Sequence, residues 1–332
     1  MATPNVIITG ATGFLGGRLT DYLAEKGQAE TFTVTGRNPT KADHFRALGT
    51  RFLPGDLRNE AFVQTLCTGA TAIVHCAALS SAWGRYREFY EQNVLTTRHL
   101  VRTAVANRVE RFVYISSPSI YAALTDRLLV REDDPLPRRF LNHYARTKFE
   151  AEEMVRNELS CARIPFVILR PRAVIGAGDT VIMPRLIEAN GAGRLRVIGT
   201  GQNMADLTCV SNVALAIELA LTANGPALNR TYNITNGEPV LLWEQIRQVF
   251  SDLGMIFSRK YLPYPVALAL GLLLEKLPNR PAHEPALTRY TVSVLAHSMT
   301  LDITNARHYL GYEPTQTTAD GLREFVNWYK TQ

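Results

Sequence analysis

Gly10, Gly13 and Gly16 follow directly on an apolar run, Val6-Ile7-Ile8-Thr9, and lead into a segment with Leu15, Leu19, Tyr22 and Leu23 on one helical face. A strand that ends in three glycines spaced three apart and continues as a helix constrains the fold more than any other feature of the chain. Glycine at these positions lets the backbone turn sharply, approach a pyrophosphate closely and pack the helix against the sheet. Phosphates then sit at the helix N-terminus, where free N–H groups and the helix dipole favour negative charge. Turns between strands and helices also collect glycine, but strand before and helix after favour a dinucleotide site in the first βα unit.

The same alternation continues down the chain. Apolar runs predict strands over Val6–Thr9, Thr31–Thr35, Arg51–Leu53, Ala72–Cys76, Phe112–Ser116 and Phe166–Leu169, with helical patterns between them, notably Glu88–Asn107 and Tyr144–Leu159. This order predicts an α/β fold, a Rossmann-type doubly wound parallel sheet with ligands beyond the C-terminal strand ends. After Arg170-Pro171 helical patterns (Met183–Asn190, Asn212–Ala223, Leu241–Leu253, Pro265–Leu277, Pro285–Ala296, Thr317–Tyr329) outnumber strands (Leu195–Ile198, Thr231–Ile234). The expected division is a nucleotide-binding domain over 1–170 and a smaller, mainly helical substrate domain over 171–332, from which the chain returns a strand to the sheet.

With 332 residues, 46% of them hydrophobic and 20% charged, the chain has ample material for a buried core. Its net charge of +6 is spread rather than clustered, which argues against nucleic acid as a partner and suits a phosphate-rich cofactor and acidic substrates. Cys67, Cys76, Cys161 and Cys209 form no CxxC pair, Cys76 reading as a small core residue, and the seven histidines show no HExxH or HxxxH spacing, so no metal site is expected. No charged segment and apolar run of the secretory kind precedes the first strand, so a cytoplasmic location is the expectation. The apolar stretch 264–274 falls well short of the roughly 20 residues needed to cross a bilayer. It reads first as a buried helix of the second domain, and alternatively as a lid or surface helix that touches a greasy substrate, lipid or membrane.

Tyr144 and Lys148 stand four residues apart on one helical face. A free phenol, with a pKa of about 10, is a poor acid or base at neutral pH. A nearby positive charge lowers that pKa and lets the phenol exchange a proton with a substrate oxygen. Ser116-Ser117-Pro118-Ser119 ends the fifth strand, where a hydroxyl can hold the same oxygen; Ser117 is the expected residue and Ser116 the reserve.

Thr9-Gly10-x-x-Gly13-x-x-Gly16, Asp56-Leu57, His75-Cys76-Ala77-Ala78, Asn93-Val94, Ser116-Ser117 and Tyr144-x-x-x-Lys148 occur in an order that resembles the extended short-chain dehydrogenases/reductases. The resemblance covers essentially the whole chain, with a serine-to-tyrosine interval somewhat longer than usual. It implies that Gly10, Gly13, Phe14, Leu15 and Gly16 line a pyrophosphate, Asp56 and Leu57 meet the adenine, and Ala77 and Ala78 line the cofactor path. It likewise implies Tyr144 as acid/base, Lys148 on the nicotinamide ribose, Pro171 and Val174 against the nicotinamide, and Asn93 as either structural or part of a proton relay. At the end of the second strand, Thr35-Gly36-Arg37-Asn38 offers no carboxylate to a ribose 2′-hydroxyl. Gly36 leaves room for a 2′-phosphate and Arg37 can pair with it, which favours NADP(H) over NAD(H).

The second half is similar to 3β-hydroxysteroid dehydrogenases and sterol-4-carboxylate 3-dehydrogenases in Gly199–Val213, Tyr232–Pro239 and Leu310–Pro314. Ala82–Tyr86 and Glu284–Tyr290 are most similar to bacterial 2-alkyl-3-oxoalkanoate reductases. The resemblance implies interconversion of a ketone and a secondary alcohol on a bulky apolar substrate; Trp83 and Tyr86, just after the fourth strand, are expected to wall the pocket, with core packing the equal alternative for Trp83, and Arg172 or Arg185 to meet a carboxylate. For both arginines a structural salt bridge is the alternative. A nucleotide-sugar epimerase or dehydratase and a non-catalytic NADP sensor are the rival functions, and a homodimer is expected by analogy alone.

Overall fold

The computed structural model describes residues 5–258, 260–276 and 284–332. Seven parallel strands form its central sheet, in the spatial order Arg230–Ile234, Phe166–Pro171, Arg111–Ile115, Ala72–His75, Val6–Thr9, Phe32–Gly36, Arg51–Pro54. Helices cover both faces, so the strands read as continuous apolar runs rather than as alternating patterns. Alternate residues nonetheless serve different cores. Ile8, Val34, Val74, Val113 and Val167 pack with the helices Phe14–Glu25 and Val210–Thr222, while Ile7, Ile73, Phe112, Tyr114 and Ile168 pack with Thr96–Asn107 and His143–Ala162.

The six strands expected in the first half are present, displaced at their ends by one residue or two. The strand Ala72–His75 stops before Cys76, which is half-buried at the edge of the core rather than inside the strand. The helix expected over Glu88–Asn107 runs from Tyr86 and contains a π-helical turn, Tyr90–Leu95. The helix expected from Pro285 starts at Arg289, because Thr288 caps it by accepting from the Thr291 amide (3.1 Å).

Two strands cross between the halves. Arg230–Ile234 lies parallel to Phe166–Pro171 at the edge of the large sheet. Arg127–Val130, from the first half, joins a four-stranded sheet with Met299–Leu301, Met204–Ala205 and Val240–Leu241. The core of the second half gathers Ile175, Met183, Trp243, Phe250 and Phe325.

The stretch read first as a buried helix is the helix Tyr264–Lys276, but it is not buried. Only Ala267 and Gly271 lie inside, while Val266, Leu270, Leu272 and Leu273 are exposed. Ala267 packs with Ile198 and Val292, and a Cβ at position 271 would lie 3.3 Å from the backbone of Thr288. The helix therefore docks through its smallest side chains and turns its larger ones outward. Among the described residues no helix is long and apolar enough to cross a membrane.

One charged pair sets the helix that carries Tyr144 and Lys148. Asn142 caps this helix, His143–Ala162, by accepting from the Ala145 amide (2.8 Å). Two turns further, Glu152 is fully buried and receives Arg170 Nε (3.1 Å), Arg170 Nη2, Arg156 Nη2 (2.9 Å) and Ser116 Oγ (2.6 Å). Glu152→Ala strands the Arg170 charge in the core and should cost about 3–5 kcal/mol in urea denaturation. The double variant Glu152→Met/Arg170→Met, which removes both charges, should cost less than that single change. A larger loss in the double variant would show that the pair itself, and not the stranded charge, governs stability.

Candidate active site

The glycine loop has the shape of a phosphate cradle. Gly10 has φ +74°, and a Cβ there would lie 2.8 Å from Ala77 N and Cα. A Cβ at Gly16 would sit 2.4 Å from the Gly10 carbonyl oxygen, so the helix packs on the loop only if residue 16 is glycine. Gly13, the N-cap, makes no side-chain cap, and the first turn carries no acidic residue. The amides of that turn are left for an outside anion. Phe14 and Leu15 are half-buried at this end of the helix. These residues fit a dinucleotide.

Polar contacts fix the loop after the fourth strand beside the cradle. Thr9 Oγ1 meets His75 Nδ1 (2.8 Å) and accepts from the Ala77 amide (3.2 Å), and His75 Nε2 meets Thr97 Oγ1 (2.9 Å). Burial, helped by the Lys148 charge, pulls the His75 pKa down to about 3, which keeps the ring neutral. Asn93, in the π-turn, accepts from Leu79 N (2.7 Å) and donates to Leu79 O (3.2 Å) and Thr147 Oγ1 (3.1 Å). Of the two roles open for Asn93, this geometry is that of a clamp that ties the loop to the Tyr144 helix.

At the second strand, the space beside Gly36 is taken by Thr12, whose Oγ1 would lie 2.3 Å from a Cβ at that position. Glycine at position 36 thus lets the backbone pack against the Thr12 side chain. Arg37 is exposed, donating to Gln92 Oε1 at 3.3 Å. Asp56 is held by Arg58 (Nη2–Oδ2 2.7 Å), and Arg58 first, with Arg37 further away, keeps its carboxyl below the ordinary range. Arg58, missed in the sequence, joins Arg37 at this edge. Leu57 is buried, and its carbonyl accepts from His99 (3.0 Å).

Of the two serines expected to do chemistry, Ser117 faces Tyr144. Burial raises the Tyr144 pKa, and the hydroxyls of Ser117 and Ser80, facing the phenol, oppose that rise. Ser80 is a further missed residue. Ser117 Oγ accepts from the Ser119 amide (3.2 Å), whereas Ser116 is committed to Glu152. Lys148 is buried, and its ammonium donates to Ile115 O (2.5 Å) and lies 4.3 Å from the Tyr114 ring centroid. Burial pulls the Lys148 pKa down to about 7, against the opposing pull of Glu152. The Cys76 thiol is pushed up to about 12 by burial and is inert at neutral pH.

The remaining expected residues scatter. Ala78 is exposed beyond Ala77, Pro171 ends its strand in the core, and Val174 is half-buried and paired with Thr208. Trp83 is half-buried in the loop after the fourth strand. Tyr86 donates to Glu150 Oε2 (2.8 Å) beneath the Arg146 guanidinium. The fully buried Phe89 faces Tyr144, 6.5 Å between ring centroids. Arg185 is exposed and pairs with Glu284 (3.3 Å), the structural alternative, whereas Arg172 is buried.

The family model described as "Epimerase: NAD dependent epimerase/dehydratase family" matches residues 6–235. The chain is 33% identical to a 2-alkyl-3-oxoalkanoate reductase of Stenotrophomonas maltophilia, over 96% of its own length and 97% of the relative's. It is 30% identical to a decarboxylating sterol-4-alpha-carboxylate 3-dehydrogenase of Candida albicans, over 98% and 97% of the two chains. Among solved structures it is similar to MoeE5 in complex with UDP-glucuronic acid and NAD, with a TM-score of 0.76 and 25% identity over 98% and 99% of the chains.

The buried lysine gives a signed pH dependence. Its folded pKa of about 7 lies below the unfolded value of about 10.4, so between these the unfolded chain binds the extra proton and stability rises with pH. Urea titrations from neutral to pH ~10 should show this increment in the parent and not in Lys148→Met. An equal rise in both would show that other groups carry it.

Proposed function

The chain belongs to the NAD dependent epimerase/dehydratase family, and from that premise we propose an NADP(H)-dependent oxidoreductase that interconverts a ketone and a secondary alcohol on a bulky apolar substrate. The observation that carries this reading is the phenol of Tyr144, faced by the Ser117 and Ser80 hydroxyls. A 2-alkyl-3-oxo acid is the favoured substrate and a 3β-hydroxysteroid the next. Full-length similarity to a reductase of the first kind and to a sterol dehydrogenase supports that order.

Gly10, Gly13, Phe14, Leu15 and Gly16 would hold the pyrophosphate, with Asp56 and Leu57 at the adenine, Ala77 and Ala78 along the path, and Pro171 and Val174 beside the nicotinamide. The bound dinucleotide supplies or takes the hydride at the substrate carbon. Tyr144 gives its proton to the carbonyl oxygen, and a pKa raised by burial keeps that proton in place until the substrate arrives. Ser117 donates a hydrogen bond to the same oxygen and orients it. Lys148, at the base of the site, would turn from Ile115 O to the nicotinamide ribose. The absence of a carboxylate after the second strand, with Arg37 and Arg58 at its edge, supports NADP(H) over NAD(H).

A nucleotide-sugar epimerase is the second reading, favoured by the likeness to MoeE5, whose solved complex holds UDP-glucuronic acid and NAD. NADPH oxidation with a 2-alkyl-3-oxo acid and no turnover of UDP-sugars would decide for the reductase. The reverse result would decide for the epimerase.

Tyr144→Phe should abolish turnover while NADPH still binds, followed by fluorescence titration; parent-like turnover in that variant would remove the mechanism. Arg37→Ala should weaken NADPH about 10-fold or more, the scale of one charge-assisted phosphate contact, and leave NADH nearly unchanged. Equal losses for both cofactors would show that Arg37 does not read the 2′-phosphate.

A further inference from the structure

Arg172 is 6% exposed, yet among the described residues no hydrogen bond or ion pair joins its guanidinium to another side chain or carbonyl, and its Nε is buried without a partner. A buried guanidinium left unpaired is strongly disfavoured, so its retention asks for a partner the chain does not supply. Of the other polar groups around the small cavity it lines, Ser293 Oγ donates to Ala123 O (2.5 Å) and Arg127 donates to Tyr121 O (3.4 Å) and Pro135 O (3.0 Å), while His297 Nε2, like Arg172 Nε, is buried without a partner.

The backbone is held so as to deliver this side chain. Arg172 N donates to Ile234 O (3.0 Å), Thr208 Oγ1 donates to Arg172 O, and Thr208 N donates to Ala173 O (3.1 Å). Between these anchors Ala173 has φ +42°, a conformation that residues other than glycine avoid. Strain of this kind persists only where its surroundings over-determine it, and it gathers at ligand sites.

Two further groups face Arg172. Tyr290 lies one turn before Ser293 and Val294, which line the same cavity, and it is within electrostatic reach of both Arg172 and Tyr144. Asp206 accepts from Leu301 N through Oδ2 (2.7 Å), while its Oδ1 is buried without a partner. Asp206 is close enough to Arg172 for their charges to interact but forms no ion pair with it. It balances the charge without capturing the guanidinium.

We propose that Arg172 and Tyr290 form an anion subsite beside Tyr144 that takes the carboxylate of a 3-oxo or 3-hydroxy acid. In such an acid the carboxyl carbon is two bonds from the carbon that is reduced. A group that binds the carboxylate must therefore lie near the acid/base residue, and Tyr290 is within electrostatic reach of both Tyr144 and Arg172. The subsite rests on the ketone-reductase reading, since it assigns Tyr144 to the reacting oxygen.

The test is calorimetric binding of a long-chain 2-alkyl fatty acid and its methyl ester to the full chain. The parent should prefer the acid about 10- to 100-fold, the range expected of a charge-assisted contact. Arg172→Met should bring the ratio close to one, Arg172→Lys should restore part of it, and Tyr290→Phe should lower it less. Arg172→Met also takes away the charge beside Asp206, so it is compared with Arg172→Lys, which keeps that charge and should melt near the parent temperature. A parent with no preference, a preference that survives Arg172→Met, or a lower melting temperature with acid and ester lost together would overturn the subsite. Reduction of a 2-alkyl-3-oxo methyl ester by the parent tests the reductase reading separately. Its failure alongside an Arg172-dependent acid preference would remove that reading and leave the subsite standing.

Discussion

The buried pair between Glu152 and Arg170 is the contact on which the site depends. Glu152 lies on the helical face of Tyr144 and Lys148, and Arg170 lies in the strand Phe166–Pro171. Ser116, next to Ser117, donates to the same carboxylate, and Arg170 reaches Tyr121 and the Glu132 carbonyl. One carboxylate thus sets the helix, the serine-bearing strand end and the strand that leads to Arg172 in a common register. Burial alone would raise the Glu152 pKa, but Arg170, with Ser116 and Arg156, holds the carboxyl below its ordinary range. The phenol, the hydroxyl and the buried lysine are precise relative to one another because they share this anchor.

Much of the fold was legible because a parallel sheet covered on both faces writes itself as apolar runs. Gly10 and Gly16 were legible for a related reason, since neither position has space for a Cβ. What escaped depends on neighbours far away in sequence. The need for glycine at position 36 comes from the Thr12 side chain packed against it. Glu150 and Arg146, the partners of Tyr86, lie some sixty residues further along the chain. Tyr264–Lys276 is apolar all round, the usual mark of a buried helix, and the smallness of Ala267 and Gly271 decides instead that it sits on the surface.

The site followed the same division. Ser117, Tyr144 and Lys148 carry short-range spacing that a helix and a strand end translate directly into position. Ser80 stands in a loop of small residues with no period, and Asp206 and Tyr290, both near Arg172, come from separate segments of the second half. No local pattern announces such residues. The orientation of Lys148 toward Ile115 O follows from desolvation, which makes the nearest carbonyl its best partner in the free protein.

The exchange of strands between the halves bears on how the molecule assembles. Phe166–Pro171 remains an open sheet edge until Arg230–Ile234 arrives from some sixty residues downstream, and Arg127–Val130 waits for Met299–Leu301 across a still longer span. Neither half can close its own edges, so ring-like closure over long sequence distances must precede a finished cleft. The chain is therefore a single cooperative unit during synthesis, exposed to wrong edge pairing until its last third has emerged, and its two halves are not modules that evolution could trade independently.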